Sequence, residues 1–424
     1  MNGISLFASG GIGDLALRAA GVKVIVANEL LLERAEVFKY NFPECKTING
    51  DIWDSKEEII ETTKKILNGI SLDFILATPP CQGMSKNGRG KLLNMIRNGE
   101  RPTLDVRNQL IIPTIDIIKN LQPEIVLFEN VPEMNDTVIE YNNNIINIID
   151  FITENLSPLG YIGKAEVVEF ADFGVPERRQ RLITVFSKNH KLISYFKKNN
   201  SFIPNTTHSQ RPDLYHKKWV SVREAIGDLP SLDAKNTDLA ISEIPYHKVP
   251  LLDNEKYFWV SNTPPEQGAF DNQCIKCGFK KNPIHGASKN KEGINKSHDH
   301  TPIHCIKCGS LLPRPWVNKD GEYRLMKGYT SAYRRMKWDL PATALTTNLS
   351  YACSDSKLHP SQNRVLSLYE AFKIHTISEY DYHWVRCDKK KVSDKLIREI
   401  IGESIPPKGL QQILDHIINI YKME

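Results

Sequence analysis

The sequence predicts an α/β fold in which helices cover both faces of a mostly parallel β-sheet, joined to a smaller and loop-rich part. Over roughly the first 190 residues, short apolar runs alternate with amphipathic stretches, a pattern typical of repeated β-α units. A glycine-rich run follows the first apolar stretch, as expected of a tight turn between a strand and a helix. The alternation then stops, and residues 200–320 are rich in Pro, Asn, Lys and His. We therefore expect two structural parts.

The apolar runs place the individual elements. Strands are expected at residues 4–7, 22–27, 74–77, 125–128, 164–170 and 182–187. Helices are expected at residues 14–20, 32–40, 57–67, 106–120, 144–156 and 409–422. Since ligands bind at the carboxyl ends of the strands in open α/β sheets, polar and reactive residues directly after a strand are candidate site residues.

The composition limits the class of protein. A chain of 424 residues is too long for one ordinary core and predicts two domains, or one large domain with a lobe. The formal charge of +5 excludes a purely electrostatic DNA binder such as a histone but permits a local basic face. No segment approaches the roughly 18 consecutive apolar residues of a membrane span, and the N-terminus lacks the basic start of a signal peptide. The eight cysteines are too sparse for a secreted disulfide framework, so we expect a reducing cytosol.

The glycine-rich run is FASGGIGD, at residues 7–14. Glycines allow the backbone to turn sharply and to approach a ligand closely. Glu29, at the end of the next predicted strand, is placed to bond ribose hydroxyls, as acidic residues do in many nucleoside cofactor sites. The run favours a nucleoside site, and a tight turn without a ligand is the alternative.

A second run, TPPCQGMS at residues 78–85, follows the strand predicted at residues 74–77. Prolines after a strand stiffen the backbone and hold the next side chain at the carboxyl edge of the sheet. Cys81 is then exposed and available as a nucleophile. The alternative is the small buried thiol that most lone cysteines are.

A third run, IVLFENVP at residues 125–132, is an apolar strand that ends in Glu129 and Asn130. A carboxyl at this edge can have a raised pKa and donate a proton or a hydrogen bond near neutral pH. The alternative is a structural role, in which Glu129 is a neighbour of a helix N-cap.

The fourth run, GVPERRQR at residues 174–181, has three arginines just before a predicted strand. Strand alternation would put Arg179 and Arg181 on one face. Contacts to phosphates or bases are the functional interpretation, and a solvated basic edge is the alternative.

Together and in this order, the four runs resemble the DNA cytosine-5 methyltransferase family of prokaryotic restriction-modification type. Further matches lie at residues 107–109, 219–230, 335–347, 359–368 and 401–407. The resemblance implies a Rossmann-like S-adenosylmethionine-dependent methyltransferase domain with a smaller, loop-rich target-recognition domain. Residues 1–195 would be catalytic, residues 196–330 would recognise the target, and residues 331–424 would carry the ninth and tenth motifs and return to the catalytic domain.

The resemblance also implies roles in catalysis. The target cytosine would be flipped out of the duplex, and the Cys81 thiolate would attack its C6. Glu129 would contact N3 and the exocyclic amine. Arg179 would support the flipped base and the Cys81–Glu129 pair, with Arg181 as its partner.

The family's S-adenosylmethionine site maps onto ten positions of this chain: Phe7, Ser9, Gly10, Gly11, Gly13, Glu29, Asp51, Ile52, Pro79 and Ser404. Several departures from the family pattern lie nearby. The loop after Phe7 is two residues longer than in the family's first motif, and Asp14 stands where that motif usually ends in Gly. Glu177 stands where the arginine motif usually begins with Gln, and Glu403 stands where the tenth motif usually has Asn.

Two identical CIKCG units, at residues 274–278 and 305–309, predict a metal site. Two CxxC turns supply the four ligands of a closed, structural Zn²⁺ site, here Cys274, Cys277, Cys305 and Cys308. A Cys/His mixture stays open because His285, His298, His300 and His304 lie nearby in sequence. The knuckle, at about residues 271–312, falls within the expected target-recognition region, and we expect its neighbouring lysines to support contacts with DNA.

By the same resemblance, the partner is double-stranded DNA. A cognate restriction endonuclease would act on the same site without forming a stable complex with this chain. We expect a prokaryotic, cytoplasmic and nucleoid-associated monomer. Two alternatives are a tRNA cytosine-5 methyltransferase, whose variable region would be shorter, and a catalytically inactive DNA-binding protein, which intact Cys81, Glu129 and Arg179 argue against.

Overall fold

A computed structural model describes residues 1–80, 105–289, 295–297, 301–326 and 330–423. Its centre is a seven-stranded sheet made of β1 (Asn2–Leu6), β2 (Lys23–Glu29), β3 (Lys46–Asn49), β4 (Phe74–Ala77), β5 (Ile125–Asn130), β6 (Ile162–Glu169) and β7 (Gln180–Ser187).

The strand order is β3-β2-β1-β4-β5-β7-β6. The first five strands in this order are parallel, and β7 runs antiparallel to both β5 and β6. Every residue of β4 and β5 is buried, as expected of strands covered on both faces. The predicted α/β class with a mostly parallel sheet is confirmed.

Helices cover the two faces of this sheet, and each face has its own hydrophobic core. The helices are α1 (Ile12–Ala19), α2 (Leu32–Asn41), α3 (Ile52–Leu67), α4 (Ile111–Leu121), α5 (Ile148–Leu156), α6 (His190–Asn199), α7 (Leu368–Ile374), α8 (Asp394–Glu403) and α9 (Pro407–Lys422). Apolar residues of α3, α4 and α5 fill one core. Those of α1, α2, α8 and α9 fill the other, so the end of the chain packs against its beginning.

Short elements complete the described chain. The 3₁₀ turns are Val106–Leu110, Pro132–Asp136, Ser157–Leu159, Phe170–Phe173, Ala269–Asp271 and Ile377–Glu379. Paired short strands are Val138–Tyr141 with Asn144–Asn147, His208–Ser209 with Lys217–Lys218, Ala287–Lys289 with Asn295–Ser297, Trp316–Lys319 with Glu322–Leu325, and Glu177–Arg178 with Ala342–Thr343. Two further helices are Val222–Ile226 and Asn254–Ser261.

Two predicted helices were wrong at their starts. Residues 106–110 form a 3₁₀ turn, and α4 begins at Ile111. Residues 144–147 form the second strand of a hairpin, and α5 begins at Ile148. The reason for the start of α5 is local, because the Asn147 side chain accepts hydrogen bonds from the backbone N–H groups of Ile149 and Asp150 and so caps the helix there. Strand β3, helices α6, α7 and α8, and the two short helices were not predicted.

The loop-rich part has a small aromatic core of its own. Trp259, Phe270, Trp316 and Tyr333 are buried there, with ring centroids 5.1–6.4 Å apart. Such edge-to-face packing stabilises a segment that has little regular structure. In the parts of the chain that the structure describes, no helix is both long and apolar enough to cross a membrane.

Candidate active site

A cavity of about 540 Å³ lies at the carboxyl edge of β1, β2, β4 and β5. Eight of the ten predicted cofactor residues line it, namely Phe7, Ser9, Gly13, Glu29, Asp51, Ile52, Pro79 and Ser404. Glu129 and Arg181 lie in the same wall. The parallel strands thus bring the first three sequence runs to one edge of the sheet, and α8 adds Ser404 from the far end of the chain.

Gly10 and Gly11 do not line this cavity. A Cβ at Gly11 would lie 2.6 Å from Phe42 Cε2, and one at Gly10 would lie 2.9 Å from Tyr382 Oη. Both glycines therefore face protein rather than the cavity. Gly11 has a φ of 84°, which permits the left-handed N-cap of α1, so the two glycines shape the turn from behind.

Two non-glycine residues of this turn also have left-handed backbones, with φ of 62° at Phe7 and 49° at Ser9. Such conformations are unfavourable for residues with a Cβ and persist where surrounding contacts impose them. Here the Glu29 carboxylate accepts hydrogen bonds from the backbone N–H groups of Ser9 at 2.8 Å and Leu31 at 2.9 Å. Glu29 therefore holds the turn open around the cavity.

Asp51 caps α3 by accepting a hydrogen bond from the backbone N–H of Trp53 at 2.9 Å. Ile52 follows as the first helical residue, with its side chain buried. The cap fixes both residues in the wall of the cavity.

Glu129 and Arg181 form a largely buried ion pair in the wall of the cavity. Arg181 Nε lies 2.8 Å from Glu129 Oε1, and the two side chains are 13% and 7% exposed. Burial raises the pKa of the Glu129 carboxyl, while Arg181 and Arg179 oppose that rise. A carboxyl in this setting can hold a proton for a hydrogen bond to a bound base.

The Arg179 side chain contacts the segments that carry the ninth and tenth motifs. Its fully buried guanidinium donates hydrogen bonds to the backbone carbonyl oxygens of Leu345 at 2.8 Å, Gly402 at 2.9 Å and Ser404 at 2.6 Å. It therefore ties the arginine run to the segments that carry the ninth and tenth motifs.

The structure thus shows a direct contact of Arg181 with Glu129, whereas the role expected of Arg179 at the flipped base stays a prediction. Arg179 braces the wall of the cavity. The physical reason for this difference is that Arg179 lies between the short strand Glu177–Arg178 and strand β7, so the alternation of a continuous strand does not apply to it.

Cys81 lies outside the described residues, and the structure describes the turn only as far as Pro80. Asn130 Nδ2 donates a hydrogen bond to Pro79 O at 3.0 Å, and Thr78 Oγ1 donates one to Phe7 O at 3.1 Å. These two contacts hold the proline turn against β5 and the glycine-rich loop. The sequence analysis assigned Asn130 no role, although it directly follows Glu129.

Comparison with known proteins now decides the family. The model of the C-5 cytosine-specific DNA methylase family matches residues 1–419. The chain belongs to this family. It is an S-adenosylmethionine-dependent DNA cytosine-5 methyltransferase of α/β fold.

Individual relatives agree with that assignment. The type II methyltransferase M1.HgaI of Avibacterium volantium is 29% identical over 426 residues, which cover 98% of each chain. The type II methyltransferase M.AgeI of Thalassovita gelatinovora is 22% identical over 96% of each chain. Among solved structures, the Dnmt2 methyltransferase of S. pombe has the same fold, with a TM-score of 0.52, 11% identity and coverage of 99% of this chain and 98% of the other.

The cavity of this DNA methylase fits an adenosyl cofactor. Ser9 Oγ and Asp14 Oδ1 are buried in its wall, and neither has a hydrogen-bond partner among the described residues. Buried polar atoms normally have partners, so two such atoms in one cavity wall indicate a ligand. Burial also raises the pKa of Asp14 to about 7.

The four cysteines of the CxxC units meet in space. Their Sγ atoms all lie within 4.8 Å of one another, and three pairs are 3.5–3.7 Å apart. A tetrahedral Zn²⁺ with Zn–S bonds of about 2.3 Å requires S···S separations of about 3.8 Å. His285 Nδ1 instead forms a hydrogen bond of 2.8 Å with Thr301 Oγ1. His298 and His300 lie outside the described residues.

Proposed function

We propose that the enzyme methylates cytosine within a specific DNA sequence through a covalent bond between Cys81 and C6 of a flipped-out base. The single observation that carries this proposal is the Glu129–Arg181 pair in the cavity wall that also contains Pro79 and Pro80, directly before Cys81. A nucleophile placed there would reach C6 of a base held in the same cavity, across the ring from the N3 that Glu129 contacts.

The chemistry follows from the weak nucleophilicity of cytosine C5. Attack of the Cys81 thiolate forms an S–C6 bond and moves the C5–C6 π electrons toward C5, while the Glu129 carboxyl hydrogen-bonds N3 and the exocyclic amine. Bound S-adenosylmethionine supplies the methyl group that C5 then takes. Loss of the C5 proton and breaking of the S–C6 bond restore the aromatic ring and free the thiolate.

The cofactor site consists of the cavity residues. Glu29 presents carboxylate oxygens that keep lone pairs for the ribose hydroxyls beyond the two backbone N–H groups they already accept. Asp51 lies at the adenine end, and Phe7, Ile52 and Pro79 supply apolar wall. The left-handed turn at Phe7 and Ser9 opens the space for the methionine end.

The four-cysteine cluster is a closed structural Zn²⁺ site, since four protein thiolates leave no open position for chemistry. Its support is geometric. Asn282 links the two halves, as its backbone N–H donates to Gln273 Oε1 at 2.9 Å and its Oδ1 accepts from Ile306 N–H at 3.0 Å. The metal would thus organise a segment too polar to form its own core.

Residues 196–330 form the target-recognition region, and residues 1–195 with 331–424 form the catalytic domain. The protein acts as a cytoplasmic, nucleoid-associated monomer on double-stranded DNA, beside an endonuclease that cuts the same sequence when it is unmethylated. The names of the type II relatives support this setting.

The test is transfer of tritium from methyl-labelled S-adenosylmethionine to duplex DNA and, in parallel, to tRNA. Label in duplex DNA at one sequence context, read by bisulfite sequencing, supports the proposal. Label in tRNA alone would favour the RNA enzyme, and label in neither would favour an inactive DNA-binding protein.

A further inference from the structure

Three polar side chains form a hydrogen-bonded chain that ends at the cofactor cavity. Glu177 Oε2 lies 2.7 Å from His375 Nδ1, and His375 Nε2 lies 3.0 Å from Ser404 Oγ. Glu177 and His375 are completely buried, whereas Ser404 is half-buried and lines the cavity. The three residues come from the arginine run, the end of α7 and the end of α8, so only the tertiary fold brings them together.

We propose that Glu177 and His375 are positioning residues that make Ser404 a hydrogen-bond acceptor for the α-ammonium group of S-adenosylmethionine. This inference rests on the proposed function. It assigns a role to Glu177, which departs from the family pattern, and to His375, which the sequence analysis did not single out.

The direction of the hydrogen bonds follows from their partners. Glu177 also accepts from the backbone N–H of Leu345 at 2.7 Å and lies 3.5 Å from Arg179, so it is an ionised acceptor. The proton on His375 Nδ1 therefore points at Glu177. Burial lowers the pKa of His375, which leaves a neutral ring whose Nε2 accepts the proton of the Ser404 hydroxyl.

Ser404 Oγ keeps its proton inside the protein in either tautomer of His375. A serine hydroxyl has one proton, and Ser404 Oγ has two internal acceptors for it, His375 Nε2 and Ile401 O at 3.0 Å. If the proton goes to Ile401 O, then His375 Nε2 must be the donor. In both arrangements the proton stays inside the protein, and only a lone pair of Oγ faces the cavity.

The backbone of this residue is fixed as well. Arg179 donates to Ser404 O at 2.6 Å and to Gly402 O at 2.9 Å, and the charge of Arg179 balances that of Glu177. A rigid Oγ with a lone pair toward the ligand selects a donor and disfavours a carboxylate. With Glu29 assigned to the ribose and Asp51 to the adenine, the α-ammonium is the donor of the cofactor that remains.

The test measures the affinity of the full-length enzyme for S-adenosylhomocysteine and for its analogue without the α-amino group, by isothermal titration calorimetry. We expect the wild type to bind the deaminated analogue about tenfold or more weakly, as expected for a hydrogen bond to a charged group. Ser404→Ala should lose most of this discrimination. His375→Leu should lose only part of it, because Ile401 O still accepts the hydroxyl proton while the side-chain contact that fixes Oγ is gone.

His375→Gln is the matched conservative variant, since a Gln amide can donate to Glu177 and accept from Ser404. His375→Gln should keep the preference for S-adenosylhomocysteine over the deaminated analogue. If His375 had only a structural role, His375→Gln and His375→Leu should not differ in this preference. Equal binding of both ligands by the wild type, or wild-type discrimination in Ser404→Ala, would overturn the inference while leaving the proposed function intact. Failure of the wild type to bind S-adenosylhomocysteine at all would instead contradict the proposed function.

Discussion

Arg181 Nε lies 2.8 Å from Glu129 Oε1 in a wall where both side chains are largely buried. The pair joins the end of β5 to the start of the antiparallel strand β7 beside it. Burial favours the neutral carboxyl and the guanidinium favours the ionised one, so Arg181 sets how readily Glu129 holds a proton.

Glu129→Gln should lower the single-turnover rate of methyl transfer about 100-fold or more, because an amide cannot supply the proton that the carboxyl supplies. Binding of S-adenosylhomocysteine should stay within a few-fold of wild type. Glu140→Gln, an exposed change in the hairpin, is the matched control and should leave the rate unchanged. A rate within threefold of wild type in Glu129→Gln would contradict the assigned role.

Substitution of Arg179 should mainly reduce stability, and substitution of Arg181 should mainly reduce methyl transfer. Arg179→Ala leaves three carbonyl oxygens without their donor and should lower the melting temperature by several degrees, as loss of about 3 kcal/mol would. Arg181→Ala, whose side chain faces the cavity, should lower the melting temperature less, because the Glu129 carboxyl left behind can take up a proton, and should lose methyl transfer instead. Equal melting temperatures of the two variants would contradict the structural role of Arg179.

Acid should destabilise the protein through the Glu177–His375 pair. The folded-state pKa values of both groups are lowered, that of Glu177 to about 2. The unfolded state therefore binds more protons than the native state, so stability falls as pH falls. For His375 the loss begins below its ordinary pKa of 6.5, and for Glu177 it runs from about 4.5 toward 2.

The pH dependence can be measured as melting temperature between pH 8 and pH 4. His375→Gln should flatten the curve between about pH 7 and pH 5, since it removes the group that titrates there. His383→Gln, at an exposed histidine, should follow the wild type. If the melting temperature of His375→Gln falls with pH as steeply as that of the wild type, then His375 does not contribute to the pH dependence of stability.

Zinc should be present at one ion per chain when the purified protein is measured by plasma mass spectrometry. Cys305→Ser removes a buried ligand and should abolish it, whereas Cys353→Ser, at an exposed cysteine outside the cluster, should retain it. Metal loss should weaken DNA binding while affinity for S-adenosylhomocysteine survives. Loss of both together would contradict the division of labour between the knuckle and the catalytic domain.

The sequence predicted the cavity well because parallel strands bring their carboxyl ends to one edge. Glu29 and Glu129 each end an apolar run, and this local pattern is enough to place them together. It was not enough to separate Arg179 from Arg181, since a break of one residue between two strands turns their side chains apart.

Contacts between distant segments could not be read from local patterns. Ser404 was placed near the cofactor only through the family resemblance, and its hydrogen bond to His375 depends on how α7 and α8 pack. Similarly, the CxxC spacing predicted a metal site, but only the fold shows that all four sulfur atoms meet and that His285 bonds Thr301 instead.

A covalent trap tests whether Cys81 forms a covalent bond with cytosine in DNA. Random-sequence duplexes in which 5-fluorocytosine replaces cytosine are incubated with the enzyme and S-adenosylmethionine, because fluorine at C5 cannot leave as a proton does. We predict an adduct that survives denaturing electrophoresis and maps to the peptide containing Cys81, and no adduct with Cys81→Ala. An adduct formed equally by Cys81→Ala, or none from a wild type that methylates the unmodified duplexes, would contradict the mechanism.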